Sequence, residues 1–113
     1  MRKIFLITER RADYSRFQPI LNIIKQDPDL DYDLVVTGLH LKPEHGLTIN
    51  EIKSDGFKIF STFEMFLEKE DSGGSMVRAY AEAVKQVTYE LEKSKPDIIL
   101  SGFDIAANAA VTL

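Results

Sequence analysis

The stretch KIFLITERRADYS, residues 3–15, carries an apolar strand and the loop that leads into a helix. The strand is predicted over residues 3–7, and its segment IFLI is apolar on both faces, which is typical of a parallel strand covered by helices on both sides. Ser15 and Gln18 then fit a capping box, so we expect a helix with Ser15 as its N-cap. Pro19 falls in the first turn of that helix, where its missing amide hydrogen breaks no helical bond.

The same alternation of strand and helix continues along the chain. Apolar runs predict strands, and apolar residues at helical spacing predict helices. We predict strands over residues 32–37, 57–60 and 97–100, helices over residues 48–54, 75–93 (with Ser75 as a cap) and 106–113, and a loop over residues 61–75. This order predicts an α/β fold, a Rossmann-like parallel sheet with right-handed crossovers and helices on both faces.

Such a sheet places its ligands at one edge. They bind beyond the carboxyl ends of the strands, near the point where the strand order reverses. In the commonest order, the first and fourth strands are neighbours across that point. We therefore expect a binding site formed by the loops at residues 8–15 and 101–105, with the loop at residues 38–46 beside them.

Composition excludes several classes of protein. The 14 Lys and Arg residues are outnumbered by 18 Asp and Glu residues, and the net charge of −4 lacks the basic surplus of a nucleic-acid-binding protein. The absence of cysteine excludes disulfides, thiolate metal sites and a cysteine nucleophile. The apolar run at the N-terminus is too short for a signal peptide or a membrane span, so we expect a cytoplasmic protein.

The length of 113 residues suits one domain with a modest core. The chain stops at ANAAVTL, inside a predicted helix that has no cap. We therefore expect residues 1–113 to be a partial Rossmann-like domain from a longer protein. The alternative is a C-terminal helix that packs on the core as it stands.

Two adjacent arginines, Arg10 and Arg11, precede the first predicted helix. A cation there faces the positive end of the helix dipole, which costs roughly 0.3–1 kcal/mol. An anion would offset this cost, because helix amides, a guanidinium fork and the Ser15 hydroxyl can together bind a phosphate or carboxylate. The alternative is that both arginines are solvated, or that one pairs with Asp13. The glycine-rich signatures of dinucleotide-binding and P-loop proteins are absent.

Three other side chains are candidates for a site. His40 and His45 lie in the loop after the second strand, and His40 is nearer the strand end. Their spacing, even with Glu44, is not a strong metal pattern. The alternative for each histidine is that it is solvated or bonded to backbone. Asp104 follows the fourth strand, where it either caps the next helix or supplies a carboxylate for acid–base chemistry.

A series of motifs resembles a known family. In order, the chain contains T-x-R-x-A-D-Y-S (8–15), V-V-T-G-x-H-L (35–41), E-H-G (44–46), I-x-x-D-G-F (52–57) and K-P-D-I-I-L (95–100). This series resembles the N-terminal region of the hydrolysing UDP-N-acetylglucosamine 2-epimerases, which include enzymes of the sialic-acid and legionaminic-acid pathways. The resemblance extends over essentially all 113 residues.

The resemblance implies a glycosyltransferase-B-type fold, with a nucleotide-sugar substrate in the cleft between two Rossmann-like lobes. The second lobe would lie outside this chain. The implied reaction removes the C2 proton of the sugar, eliminates the nucleoside diphosphate to leave a glycal, and adds water to release the free 2-epimer. It requires no metal or redox cofactor, and the isolated chain would be inactive.

The resemblance also implies roles for individual residues. Arg11 would contact the diphosphate or the uridine, with support from Ser15, and Arg16 occupies a basic position of the family. His40 would line the sugar end of the cleft. The family has Gly-Asp-Arg after the fourth strand, where this chain has Gly102-Phe103-Asp104, so Asp104 matches the acid–base aspartate only across one inserted residue and the arginine is missing.

Two other classes of function compete with the enzyme. A flavodoxin-like or receiver-like binding module suits the length, although a receiver would have paired acidic residues after the first strand, where this chain is basic. An interaction fragment could instead form a homo-oligomer through the long helix at 75–93. The simpler interpretation of that helix is that its apolar stripe faces its own sheet.

Overall fold

The structure is a computed structural model that describes residues 2–9, 11–41, 48–64 and 73–100, with only the backbone described for residues 11–13, 39, 40, 73 and 76. Its strands are β1 (Arg2–Thr8), β2 (Leu30–Thr37), β3 (Ser61–Phe63) and β4 (Ile98–Leu100). Its helices are α1 (Arg11–Gln26), α2 (Ile49–Ser54) and α3 (Gly73–Ser94), and a short 3-10 turn spans Gly38–Leu41. No helix within these described ranges has the length and apolar character needed to cross a membrane.

The four strands form one parallel sheet in the order β3-β2-β1-β4. The predicted Rossmann-like sheet is therefore confirmed, and so is the neighbourhood of the first and fourth strands. β1 is central, because Ile4 pairs with Tyr32 of β2 on one side and with Ile98 of β4 on the other. Helices cover both faces of β1, which explains why the segment IFLI is apolar on both faces.

One face of the sheet is covered by α1 and α2. Leu6 of β1 and Leu34 of β2 pack there against one side of α1, which buries residues at helical spacing. The buried residues of α1 are Tyr14, Phe17, Leu21 and Ile24. Burial of each such side chain contributes about 1.5–3 kcal/mol, so α1 is fixed to the sheet along most of its length.

The opposite face is covered by α3. Phe5, Ile7 and Val35 pack there against small residues of the helix, Ala79 and Ala83. Val87 continues the same stripe, with Tyr80, Val84 and Leu91 half-buried beside it. This confirms the simpler interpretation of α3, whose apolar stripe faces its own sheet, and the placement of helices on both faces.

The prediction that Ser15 caps the first helix is wrong. α1 begins at Arg11, four residues earlier, so Ser15 lies inside the helix and is exposed. Pro19 is consequently in the helix interior, which costs roughly 3 kcal/mol. The burial of Tyr14 offsets this cost, because its ring packs in the core and its hydroxyl donates to Asp55, and both contacts require the additional turn.

The third strand and the start of the third helix also differ from the prediction. The ladder with β2 begins at Ser61, not at residue 57, because the Phe57 ring is buried between Tyr14 and Tyr32 on the α1 side of the sheet. The amide of Phe60 donates to the Leu34 carbonyl at 2.8 Å, just before the strand. α3 begins at Gly73, so Ser75 is its third residue rather than its cap. The helix predicted at 106–113 lies outside the described residues.

Candidate functional site

The carboxyl ends of the four parallel strands lie at one edge of the sheet. α1 begins beside this edge on one face, since only two residues separate Thr8 from Arg11. α3 runs antiparallel to the strands. Its last residue, Ser94, donates its hydroxyl to Asp33 in the amino-terminal half of β2 at 2.7 Å, and its carbonyl accepts from Lys3 Nζ, near the start of β1, at 3.1 Å. The first turn of α3 therefore lies at the carboxyl edge on the other face, so two helix N-termini flank the predicted ligand edge.

The floor of this edge is polar and buried. Thr8 and Thr37 end their strands with no exposed surface, and the Thr37 hydroxyl donates to the Phe63 carbonyl at 2.6 Å. That bond ties the end of β2 to the end of β3. Gly38 follows with a φ of 64°, a backbone conformation that glycine adopts without strain, and this starts the turn that contains His40. The strand ends below the candidate site are therefore held in place by buried contacts of the sheet, independently of the loops that follow them.

Glu9 is a residue that the sequence analysis did not single out. It is only 1% exposed and interacts with neighbouring groups. A carboxylate is seldom fully buried unless it is paired. Glu9 thus places a buried acid two residues before Arg11, at the foot of the first turn of α1. One sequence signal could have indicated its burial: Glu9 lies directly after an apolar strand, next to the buried end of that strand.

The structure brings two of the predicted site residues to the same edge by their backbones. Arg11 is the first residue of α1, and His40 lies in the 3-10 turn after β2. Ser15 and Arg16 lie one turn further along α1 and are exposed, and Arg16 interacts with neighbouring groups. Asp104 lies outside the described residues. The roles predicted for all five residues stay predictions.

Arg78 adds a basic group on the α3 side of the edge. A Cβ built on Gly74 would lie 3.2 Å from Nη1 of Arg78, so the guanidinium folds back over the first turn of α3. The position of Arg78 in the helix pattern does not by itself reveal which way its side chain folds. Among the described side chains, no group of three or more His, Asp and Glu is placed to bind a metal ion.

A polar contact joins the first turn of α1 to the end of α2. Tyr14 is 3% exposed and donates its hydroxyl to the Asp55 carboxylate, to which Gln18 Nε2 also donates at 3.0 Å. Burial raises the pKa of the Tyr14 phenol well above its usual value, and the bond to Asp55 raises it further, so the phenol remains a donor. Lys25 Nζ donates to the Gly56 carbonyl at 3.0 Å. α1 is therefore bonded to residues 55–56 from three positions on one stripe.

A cavity of about 260 Å³ lies at the opposite, amino edge of the sheet. It is lined by Ile24, Lys25, Leu30, Asp31, Tyr32, Gly56 and Lys58. The Tyr32 amide donates to Asp31 at 2.8 Å and lowers the pKa of that carboxyl, and Lys58 lowers it further from 3.2 Å. Both lysines of the cavity are thus engaged with the protein itself. Its position at the amino edge separates it from the strand ends that form the candidate site.

The parallel sheet and its ligand edge agree with the family that the sequence matches. The profile of the family described as UDP-N-acetylglucosamine 2-epimerase matches residues 22–112. The UDP-N,N'-diacetylbacillosamine 2-epimerase (hydrolyzing) of Legionella pneumophila is 35% identical over 100 residues, which are 88% of this chain and 26% of that protein. The GDP/UDP-N,N'-diacetylbacillosamine 2-epimerase (hydrolyzing) of Campylobacter jejuni is 31% identical over 99 residues, 88% of this chain and 25% of that protein.

The fold is similar to that of solved epimerase structures. The UDP-GlcNAc 2-epimerase from Neisseria meningitidis, solved bound to UDP-GlcNAc, superposes with a TM-score of 0.76 at 14% identity, over 97% of this chain and 28% of that chain. Structures of this family have a glycosyltransferase-B-like fold. The chain therefore spans about a quarter of the length of the relatives that it matches.

Proposed function

Because the chain belongs to the UDP-N-acetylglucosamine 2-epimerase family, we propose that it forms the N-terminal part of a hydrolysing nucleotide-sugar 2-epimerase. The substrate is UDP-N-acetylglucosamine or a related UDP-linked amino sugar, and the products are the free 2-epimer and the nucleoside diphosphate. The observation that carries this proposal is the family match along residues 22–112, which include most of a parallel sheet with the order β3-β2-β1-β4. The family match disfavours the flavodoxin-like or receiver-like module.

The proposed chemistry is an elimination followed by an addition. A base removes the proton from C2 of the sugar while the diphosphate leaves C1 with the bonding electrons, so that a C1=C2 double bond forms. Water then adds its oxygen to C1. C2 receives a proton on the face opposite to the one from which its first proton was removed, which inverts the configuration at C2. We propose that Asp104 acts in acid–base catalysis and that His40 lines the sugar end of the cleft. No electron is gained or lost overall, so the proposal needs neither a metal nor a redox cofactor.

The diphosphate is the part of the substrate that this edge suits best. The first turn of α1 presents backbone amides that have no helical acceptor, and the helix dipole favours an anion there. Arg11 begins that turn, Arg16 follows in the next, and Ser15 lies between them. A diphosphate at this position would remove the repulsion between the dipole and the arginines. We therefore assign Arg11 to the diphosphate, with Ser15 and Arg16 in support.

The remaining expectations stay predictions. A second lobe would complete the cleft, and a role in the supply of amino sugars of the sialic-acid type would follow from the pathway that the resemblance implies. Cytoplasmic location and assembly into a homo-oligomer are proposals of the same kind. Each concerns the whole protein, of which this chain matches about a quarter in its relatives.

The proposal is tested by titrating UDP into this chain and, in parallel, into the complete product of its gene. Amide shift mapping should place the bound UDP at residues 8–16, with weaker affinity in the chain than in the complete product. Arg11→Ala should abolish the binding, because the guanidinium is the main cation of the site. Arg2→Ala is the matched control, since Arg2 is an exposed arginine at the start of β1, on the amino edge of the sheet, and its removal should change nothing.

Two outcomes would contradict the proposal. The first is an absence of UDP binding by the complete gene product at millimolar concentration. The second is binding that Arg11→Ala and Arg2→Ala weaken equally, because general charge rather than a site would then explain it.

A further inference from the structure

We propose that Tyr14 and Asp55 are positioning residues that fix the first turn of α1 and thereby set the place of Arg11 at the nucleotide site. This inference rests on the proposed function and extends it to two residues that do not themselves contact the substrate. It is carried by three properties of α1: an interruption in its hydrogen-bond ladder, an unfavourable charge in its first turn, and a buried contact that compensates for both.

The interruption comes from Pro19. An interior helical residue donates its amide to the carbonyl four residues earlier, and proline has no amide hydrogen. The Ser15 carbonyl therefore lacks the helical donor that residue 19 would otherwise supply. The turn that precedes Ser15 is consequently tied less well to the rest of α1 than an uninterrupted helix would tie it.

The charge of the first turn adds to this weakness. Arg11 is the first residue of α1, at the end where the helix dipole is positive, so without a bound anion its charge opposes the helical conformation there. The missing hydrogen bond and this charge both weaken the helical conformation of residues 11–14. A tertiary contact that holds these residues would keep the backbone of Arg11 in one place.

Tyr14 supplies that contact. It lies three residues after Arg11 and is almost fully buried. Its ring packs edge-on against Phe57, with the ring centroids 6.3 Å apart, and its hydroxyl donates to the Asp55 carboxylate. A hydrogen bond to a charged acceptor is among the stronger ones in proteins. The first turn of α1 is therefore anchored to residues 55–57 and not only to its own helix.

The same contact explains a motif that the ligand edge does not use. The I-x-x-D-G-F segment, residues 52–57, ends α2 and leads towards β3, so none of its residues stands at the carboxyl end of a strand. Its Ile52 and Phe57 are in the core beside α1, and its Asp55 receives the Tyr14 hydroxyl. Within the proposed site, this segment acts by fixing α1 rather than by touching the substrate.

The test compares the UDP affinity of variants in the complete gene product, with each variant first shown to be folded by circular dichroism. Tyr14→Phe keeps the ring and removes the hydroxyl, and Asp55→Asn keeps the shape and removes the charge. Each should weaken UDP binding by about 5- to 10-fold, at the lower end of the usual coupling between two sites. The double variant should bind UDP no more weakly than either single variant, because both lose the same hydrogen bond.

Tyr32→Phe is the matched control. Tyr32 is also buried, packs against Phe57 from the other side, and accepts a hydrogen bond from the Lys58 amide at 3.1 Å through its hydroxyl. Its loss should lower stability without changing UDP affinity, because Tyr32 belongs to β2 and not to α1. An equal loss of affinity in Tyr32→Phe would overturn the positioning role.

A rescue experiment separates positioning from general stability. Pro19→Ala restores the amide donor to the Ser15 carbonyl, which ties the first turn to the rest of α1. In that background, Tyr14→Phe should change the UDP affinity by less than twofold. A loss as large as in the original background would contradict the proposal.

The inference and the proposed function fail in different ways. If Arg11→Ala abolishes UDP binding while Tyr14→Phe binds UDP normally, the proposed function stands and the positioning role is overturned. If the unmodified protein binds no UDP, the proposed function is overturned, and hydrogen exchange without ligand still tests the anchor. The amides of residues 15–17 donate to carbonyls of the first turn, so they should exchange faster in Tyr14→Phe, and unchanged rates would overturn the anchor.

Discussion

Gly56 shows how much of the α1 contact depends on single residues. Its φ of +85° lies in the region that other residues adopt only with strain, and a Cβ there would come within 3.1 Å of Lys25 Nζ. The sequence pair Asp55-Gly56 indicates the end of a helix correctly. It does not indicate that the turn faces α1, because the partners Tyr14 and Lys25 lie more than 30 residues away in the chain.

Tyr14 also gives the protein a specific response to alkali. Its pKa is raised by burial and then by the Asp55 carboxylate, so the folded state favours the protonated phenol. The resulting stability is fully present below the unfolded pKa of about 10 and is lost as the pH rises from there towards the raised folded value. We expect the free energy of unfolding to fall between pH 10 and 11.5.

The measurement is urea unfolding across that range for the unmodified chain and for Tyr14→Phe. The variant has no phenol to titrate at this site, so its stability should fall less steeply with pH. Parallel slopes for the two proteins would show that other groups cause the alkaline loss. Tyr32→Phe serves as the control for removal of a buried tyrosine hydroxyl.

The helices show where local sequence signals are overruled. The capping box at Ser15 and the proline four residues later both predict a helix that begins after residue 15, and the observed helix begins at Arg11. The deciding contact, Tyr14 with Asp55 and Phe57, is tertiary and leaves no local signal. The strand predicted at residues 57–60 is likewise displaced. Phe57 is buried as an apolar residue should be, but it packs against α1, and the ladder of β3 begins only at Ser61.

The interior proline predicts a stability gain at the scale of the element. Pro19→Ala should raise the free energy of unfolding by about 1–3 kcal/mol, since it restores a backbone hydrogen bond and improves helix propensity. Thermal unfolding followed by circular dichroism measures this gain. Pro28→Ala is the control, because Pro28 lies outside α1 in the turn before β2; there the substitution should not stabilise. A loss of stability in Pro19→Ala would mean that the proline ring packs in a way that outweighs the missing bond.

The whole molecule was more predictable than its parts. Strict alternation of strands and helices left few topologies, and the two-faced apolar run in β1 predicted a strand covered by helices on both sides. The parallel sheet and the neighbourhood of β1 and β4 therefore followed from general rules. The candidate site was predictable only as an edge. The burial of polar residues such as Glu9 and Thr37 depends on which chain segments meet above the strand ends, and that is a property of the assembled fold.

At this scale we expect no catalysis by the chain alone. An epimerase cleft of the proposed kind needs groups from two lobes, and this chain matches about a quarter of the length of its relatives. Incubation with UDP-N-acetylglucosamine should release no UDP and no free amino sugar above the buffer control, whereas the complete gene product should release both. Turnover by the chain itself would show that this edge contains the whole catalytic apparatus.

The central position of β1 also bears on how the protein folds. Ile4 of β1 pairs with Tyr32 of β2 and with Ile98 of β4. The β1–β2 seam, where these two strands pair, closes a short loop, whereas the β1–β4 seam closes a loop that contains most of the chain. Closing the longer loop costs roughly 1 kcal/mol more in chain entropy, and contacts between distant residues slow folding. During synthesis, β1 can pair with β2 long before β4 has left the ribosome. β4 is also short, with Ile98 and Ile99 over 40% exposed, so the β1–β4 seam should be the last part of the sheet to close and the first to open.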